Sequence, residues 1–350
     1  MKHIIYIISI LISLLSAAFA LLGFAAGLIS PVHCEWLGFF GLILTPVLLV
    51  NILMAVILVL YESTWAFLPI GALILNVGYI SAMFQFTLPD RKREEGKEKI
   101  KIATYNVNNF YTDGVYTLLP VAKYMQDQQV DILCLQEFPN AAIYSRDSIL
   151  NAFSYLPYYC LSDNSHSSMT IAVFSRYPIK ECQTIFFEGS NNLSLTADVD
   201  IKGRRVRLFS NHLQTTSVNA HKSEVKESLR EKEGRRHAAF SLAWNMKENF
   251  IHRANQADTI RNLIEKSPYP VVVCGDFNDT PASYTYHQLK RNLTDGFKDC
   301  GNGYGYTFRG LYKLFRIDYI LYSSGFRGLT YYSPDFPWSD HKPVIWEGGF

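Results

Sequence analysis

The first 89 residues of this 350-residue chain almost lack charge: Lys2, Glu35 and Glu62 are the only ionised side chains there. A stretch so poor in charge cannot cover itself with a solvated face, so its natural environment is a bilayer. The remainder lacks a surplus of either sign. The whole chain has 33 Lys and Arg against 31 Asp and Glu, which leaves residues 90–350 at only about +3. Composition therefore gives no strong footprint for a polyanion, and only a local patch could supply one. Six cysteines are present, with no CxxC pair and no zinc-like Cys/His spacing. That argues against a disulfide framework and against a zinc site. Cys134 and Cys274 lie in strand-like apolar runs, where the default is a small buried hydrophobe. No repeat of solenoid period occurs.

Three apolar runs fill the N-terminal part: Ile4 to Ile29, Leu37 to Leu60, and about Trp65 to Leu88. Each reaches the roughly 20 residues needed to cross a bilayer core. The reading is a three-helix transmembrane segment over 1–89, hence a multi-pass membrane protein. With two further spans, a cleavable signal at Ser16–Ala20 is unnecessary. A charged linker follows over 90–99. Its Arg91-Lys92-Arg93 cluster places the C-terminal part in the cytoplasm by the positive-inside rule, while Lys2 pulls the opposite way for an odd number of spans. The side stays open.

Residues 100–350 read as one catalytic domain organised around Val271-Val272-Val273-Cys274-Gly275-Asp276-Phe277-Asn278-Asp279. A β-branched run is a buried strand, and here it ends in a carboxylate and a carboxamide two residues apart. If extended, Asp276 and Asn278 face one pocket. The pattern recurs. Ile100 to Val107 alternates and ends at Asn106, and Asp131 to Gln136 ends at Glu137. A hairpin over Leu193–Ile201 and Arg205–Ser210 runs into Asn211-His212. Arg316 to Leu321 carries Asp318, and Ser339-Asp340-His341 closes the series. Helices fall near 118–128 and 283–291, with a long polar one over about 217–266. Short strands with polar ends and helices between them indicate an α+β fold, a two-sheet β-sandwich flanked by helices.

Oxygen ligands without cysteine suit Mg²⁺, or Mn²⁺, rather than zinc. Asp340 beside His341 can hold an imidazolium, so the chemistry points to metal-assisted phosphoester hydrolysis. Arg176 and Arg316 are further candidates to touch phosphate, with a surface salt bridge the competing reading for Arg176. Asn211 is as much a turn residue as a ligand.

In this order TYNV, LQE, SNHL, GDFND, RIDYI and SDHKPV resemble the endonuclease/exonuclease/phosphatase superfamily, over about residues 100–346. That superfamily includes pancreatic deoxyribonuclease, abasic-site endonucleases, inositol polyphosphate 5-phosphatases and bacterial sphingomyelinases. The resemblance implies that Glu137 binds a divalent metal with Asn106 beside it, and that Asp340 is a metal ligand or lies just behind one. It implies that Asp276 orients or deprotonates the attacking water and that Asn278 supports it. His341, oriented by Asp318, and His212 would contact the phosphate oxygens. Three departures stand out. Asn108 stands where abasic-site enzymes often have an acid, no glycine occurs in Ser167-Ser168-Met169-Thr170, and Arg316-Ile317-Asp318 lacks the cysteine of the 5-phosphatases.

The expected activity is that of a membrane-anchored, Mg²⁺-dependent hydrolase whose partners are the bilayer and a phosphoester substrate, a lipid headgroup or small phosphodiester. No obligate protein partner is evident. The alternatives are a membrane-anchored endonuclease cleaving nucleic acid, which requires a basic groove and steep salt dependence, and a catalytically silent scaffold. Every core position is filled, which argues against the scaffold.

Overall fold

The computed structural model describes residues 2–87, 98–139, 143–163, 170–216 and 232–349, with only the backbone for 232–239. Most of the expected linker, Ser167 to Met169, and the start of the polar helical stretch from Ser217 lie outside the described residues. The chain forms two compact units: Met1–Ser81 with Thr215–Ala257 and Thr280–Gln288, and Ala82–Gln214 with Asp258–Asp279 and Leu289–Phe350.

The first unit contains helices α1 (Lys2–Ala26), α2 (Leu37–Leu42), α3 (Leu44–Leu60), α4 (Phe67–Leu75) and most of α5 (Val77–Met83). The expectation of three long spans is corrected here. Among the described residues α1 alone is long and apolar enough to cross a membrane, and a second span exists only if Thr64–Leu75 and Val77–Met83, bent by 57°, count as one. The second apolar run breaks at Ile43. Pro46 has no N–H for the Leu42 carbonyl, and its ring crowds that oxygen. The remaining 17 residues of α3 rise about 26 Å, short of the roughly 30 Å core. The third run bends at Asn76, whose side-chain amide donates to the Ala72 carbonyl at 3.0 Å and the Ala20 carbonyl at 3.3 Å. It then ends as a strand.

α1 is patterned inside out. Its buried residues are Ser9, Ser13, Ser16, Ala17, Ala20, Gly23 and Ala26, while Ile4, Leu11, Leu15 and Leu21 are exposed. Small residues inside let the backbones of α1, α3 and α4 approach closely, and Ser16 Oγ donates to Asn51 Oδ1 across the gap.

In the second unit the strands run, in chain order, β1 (Phe84–Phe86), β2 (Lys99–Asn106), β3 (Tyr111–Thr112), β4 (Val115–Tyr116), β5 (Ile132–Gln136), β6 (Tyr158–Leu161), β7 (Ile171–Ser175) and β8 (Ile179–Phe186). Then come β9 (Leu193–Ile201), β10 (Arg204–His212), β11 (Val271–Asp276), β12 (Thr294–Asp295), β13 (Asn302–Tyr304), β14 (Asp318–Tyr322), β15 (Arg327–Tyr332) and β16 (Val344–Gly349). One six-stranded sheet has the order β12-β14-β11-β10-β9-β8 and the other β15-β16-β2-β5-β7-β6. The sequence indicates an α+β two-sheet sandwich, and this is the architecture.

Period-two alternation builds the interior. Ile100 and Ile102 of β2 meet Leu208, Val272 and Ile320 of the other sheet, while Ala103 and Tyr105 turn outward under helices α6 (Leu118–Asp127) and α7 (Arg146–Ala152). Toward one end of the sandwich the inner face changes character. Gln136 Nε2 donates to Thr104 Oγ1 and Ser210 Oγ, both at 3.1 Å. Beyond this polar layer the same alternation brings up Asn106, His212, Asp276 and Asp318.

The reading against disulfides is also corrected. Cys160 of β6 and Cys182 of β8 form one, with Cα atoms 6.2 Å apart. It joins edge strands of the two sheets, a proximity that no sequence spacing reveals.

Candidate active site

Four strand ends supply the site, because β10 pairs in parallel with β11, setting His212 opposite Asp276, and β14 runs antiparallel to β11, setting Asp318 opposite Asp276. Gly275 makes that approach possible. Its φ is +120°, and a Cβ there would lie 2.1 Å from the Asn211 carbonyl oxygen.

The groups converge on Asp276. Its Oδ1 accepts the Asn278 backbone N–H at 2.8 Å, and its Oδ2 accepts Asn106 Nδ2 at 3.1 Å. The same Asn106 amide donates to Glu137 Oε1 at 2.9 Å, so one carboxamide bridges two carboxylates. His341 Nδ1 donates to Asp318 Oδ2 at 3.0 Å, and its Nε2 lies 3.7 Å from Asp276 Oδ2. His212 Nε2 lies 3.6 Å from Glu137 Oε1 and 3.9 Å from Asp276 Oδ2. Among the described residues neither ring nitrogen of His212 has a hydrogen-bond partner.

The two histidines are tuned in opposite directions. Burial alone would lower His341, but the charges of Asp318 and Asp276, with the Asp318 hydrogen bond, raise it well above the usual histidine range. His212 is lowered, first by burial and then by His341, against the pull of Glu137. At neutral pH an imidazolium and a neutral imidazole therefore stand in one site. Burial pushes the Asp276 carboxyl up to about 7, with His341 lowering it and Asp318 raising it.

Several placements differ from simple expectation. Asn278 has φ +52°, so it is not the extended i+2 partner of Asp276, and its amide donates to the Leu213 carbonyl at 3.0 Å. Asp340 sits at the edge, with Oδ1 3.3 Å from Ser339 Oγ. Asn211 donates to the Phe209 and Cys274 carbonyls and accepts from Ser194, so it braces strands. Arg316 is no phosphate contact: it is fully buried, pairs with both oxygens of Asp295 at 2.6 and 2.8 Å, and lies over the Phe297 and Tyr319 rings. Arg176 pairs with Asp131 at 2.8 Å.

Two supporting residues have no role in the sequence reading. Ser339 Oγ donates to the Asn106 carbonyl at 2.7 Å and accepts the His341 N–H. Thr307 Oγ1 accepts the backbone N–H of Ile317 and of Asp318. Ser339 could have been suspected from its place before Asp340, whereas Thr307 lies eleven residues from Asp318 with no local signal.

The cluster fits a cation. Glu137, Asp276 and Asp318 bring three carboxylates against one imidazolium, Asp318 Oδ1 and both His212 nitrogens are buried without hydrogen-bond partners among the described residues, and carboxylate oxygens of Asp276 and Asp318 lie within 4.8 Å of each other. Hard oxygen donors of this kind suit a small divalent ion.

Residues 103–341 match the Endonuclease/Exonuclease/phosphatase family, and residues 2–83 match a domain of unknown function, DUF8431. No curated protein matches the chain. Similar solved structures include an endonuclease/exonuclease/phosphatase family protein from Bacteroides thetaiotaomicron, with TM-score 0.53 and 17% identity over 73% of this chain and 99% of that one. An endonuclease/exonuclease/phosphatase from Bacteroides vulgatus has TM-score 0.51 and 19% identity over 73% of this chain and 100% of that one. A humanized TDP2 of D. rerio has TM-score 0.51 and 16% identity over 72% and 99%. At these identities the likeness speaks for the fold alone. The family match spans more than half of the chain and contains every residue of the cluster, and the protein is a member of the endonuclease/exonuclease/phosphatase family.

Proposed function

We propose that this protein is a membrane-anchored, divalent-metal-dependent phosphoester hydrolase acting on a lipid headgroup or other small phosphoester. The observation that carries the chemistry is the line Asp318–His341–Asp276, in which a buried imidazolium is held between two carboxylates. Asp276, ionising near neutral pH and fixed by Asn278 N–H and Asn106, is suited to take the proton of an attacking water. His341 faces the same space as a charged donor, and neutral His212 offers ring nitrogens without a hydrogen-bond partner among the described residues. Both would hydrogen-bond non-bridging phosphate oxygens, where charge develops. Glu137 and Asn106 would hold the metal, with Asp340 at its margin, and Mg²⁺ is the ion we favour. When bound, the ion would neutralise phosphate charge.

Two features support anchoring. α1 turns its large aliphatic side chains outward and its small residues inward, the reverse of a water-soluble helix and the arrangement that lipid favours. A cleaved signal would not pack into α3 and α4 in this way. Tethering also raises the effective concentration of a lipid substrate. The Cys160–Cys182 disulfide supports a catalytic unit facing an oxidising compartment.

The test uses the full chain in micelles with Mg²⁺, beside His341→Ala, on phospholipid headgroup esters and on supercoiled plasmid. Metal-dependent headgroup release that is lost in the variant is expected. Plasmid nicking with the same dependence would favour the nuclease reading instead, and neither activity from folded, metal-binding protein would refute the hydrolase reading.

A further inference from the structure

Lys342 follows His341, yet its side chain has no part in the chemistry above. It is only 6% exposed, and its ammonium makes no hydrogen bond or ion pair among the described residues. Its one direct partner is the Tyr306 ring, whose centroid lies 4.2 Å from Nζ. Burying an ammonium without a counter-charge is costly, so such a group is kept where an anion completes it. A second ammonium, on Lys313, lies 5.8 Å from the same ring centroid. Asp335, whose charge acts on Lys342, is held by Arg309, whose other nitrogen donates to the Phe336 carbonyl. Two cations thus lie at one aromatic ring, and neither makes an ion pair among the described residues.

The group is fixed to the frame that carries the site. Phe308 forms a bridge with His341, with ring centroids 5.2 Å apart, Lys342 N–H donates to the Thr307 carbonyl at 2.7 Å, and Arg309 N–H donates to the Asp340 carbonyl at 2.8 Å. Thr307, which anchors Asp318, therefore also anchors Lys342. Leu311, Tyr312 and Lys313 follow in a tight turn with φ of +48°, +61° and +58°.

We propose that Lys342 and Lys313, with the Tyr306 ring beneath them, form a subsite for a second anionic group of phosphate class, beside the phosphoester bound at His341. The inference rests on the phosphoester reading and narrows it: the substrate is a small headgroup that carries a second phosphoryl group next to the scissile one. Two ammonium–phosphate hydrogen bonds are charge-assisted, and they correspond to about a ten- to hundredfold gain in affinity.

The experiment is calorimetric titration of the full chain in micelles with Mg²⁺, using propyl phosphate and propane-1,3-diyl bisphosphate, which differ only in the second phosphate. The bisphosphate is expected to bind about ten- to hundredfold more tightly. That ratio should fall to near one in Lys342→Met, which keeps the buried volume, and should fall several-fold in Lys313→Met, whose exposed side chain makes misfolding an implausible cause. Equal affinity for both probes in the parent protein, or a ratio unchanged in the folded variants, overturns the subsite and leaves the hydrolase reading standing. Failure of both probes to bind overturns both.

Discussion

Replacing Arg316 with Met tests whether this side chain is structural. Its guanidinium is wholly buried and makes paired bonds of 2.6 and 2.8 Å to Asp295, a third of 3.0 Å to the Ala82 carbonyl, and stacked contacts with Phe297, Tyr319 and Tyr331. Met fills much of the volume but takes the guanidinium away from the buried Asp295 carboxylate, which keeps the Phe297 N–H. Breaking one half of a buried pair costs about 3–5 kcal/mol. For a unit of this size that lowers the urea midpoint by roughly 1–2 M. Adding Asp295→Asn should recover much of the loss, since the amide keeps the cap to Phe297 N–H and carries no charge that needs the guanidinium. The assay is urea unfolding of the full chain in micelles, followed by tryptophan fluorescence. An Arg316→Met variant that unfolds at the parental midpoint, yet binds phosphoester poorly, would refute this reasoning and return Arg316 to the substrate.

Gly275→Ala should fail to fold or lose several kcal/mol, because its Cβ would meet the Asn211 carbonyl at 2.1 Å; a melting curve matching the parent would show that β10 and β11 can separate without cost. Asp318→Asn removes the charge that holds His341 as an imidazolium, and turnover should fall by about 10²–10⁴ in the headgroup-release assay. Turnover should fall as pH drops below about 7, approaching roughly tenfold per unit, because the Asp276 carboxyl then holds a proton and cannot take one from the attacking water. Initial rates at pH 6 and pH 8 read this directly, and equal rates would contradict it. Deleting residues 1–97 should destabilise the catalytic unit, since it removes β1, the antiparallel partner of β13, and the Ala82 carbonyl that Arg316 binds; unchanged urea unfolding of the remainder would refute this.

Much of the site is legible in the sequence because its residues lie at strand ends, and a strand end is a local signal. An apolar alternating run that stops at Asn106, Glu137, His212, Asp276 or Asp318 announces a polar group facing inward from the last buried position. Local pattern likewise separates the charge-poor first part from the rest, and identifies the sandwich class. It does not determine helix length inside an apolar run. Pro46 and Asn76 act on carbonyls four residues back, so hydropathy over 37–60 and 65–88 looks continuous while the backbone breaks.

What only tertiary structure decided are relations between segments far apart in the chain. Arg316 looks like a phosphate ligand beside Asp318 until Asp295 and three rings close around it. Cys160 and Cys182 look unpaired until the two sheets bring their edges together. Asn278 leaves the extended path because its amide has the Leu213 carbonyl to meet. The opposite charge states of His212 and His341 depend on which carboxylates surround each ring at full burial. Residue type and local period determined which groups could take part. Long-range strand pairing determined which of them meet, because burial and charge depend on distances that the sequence order does not contain.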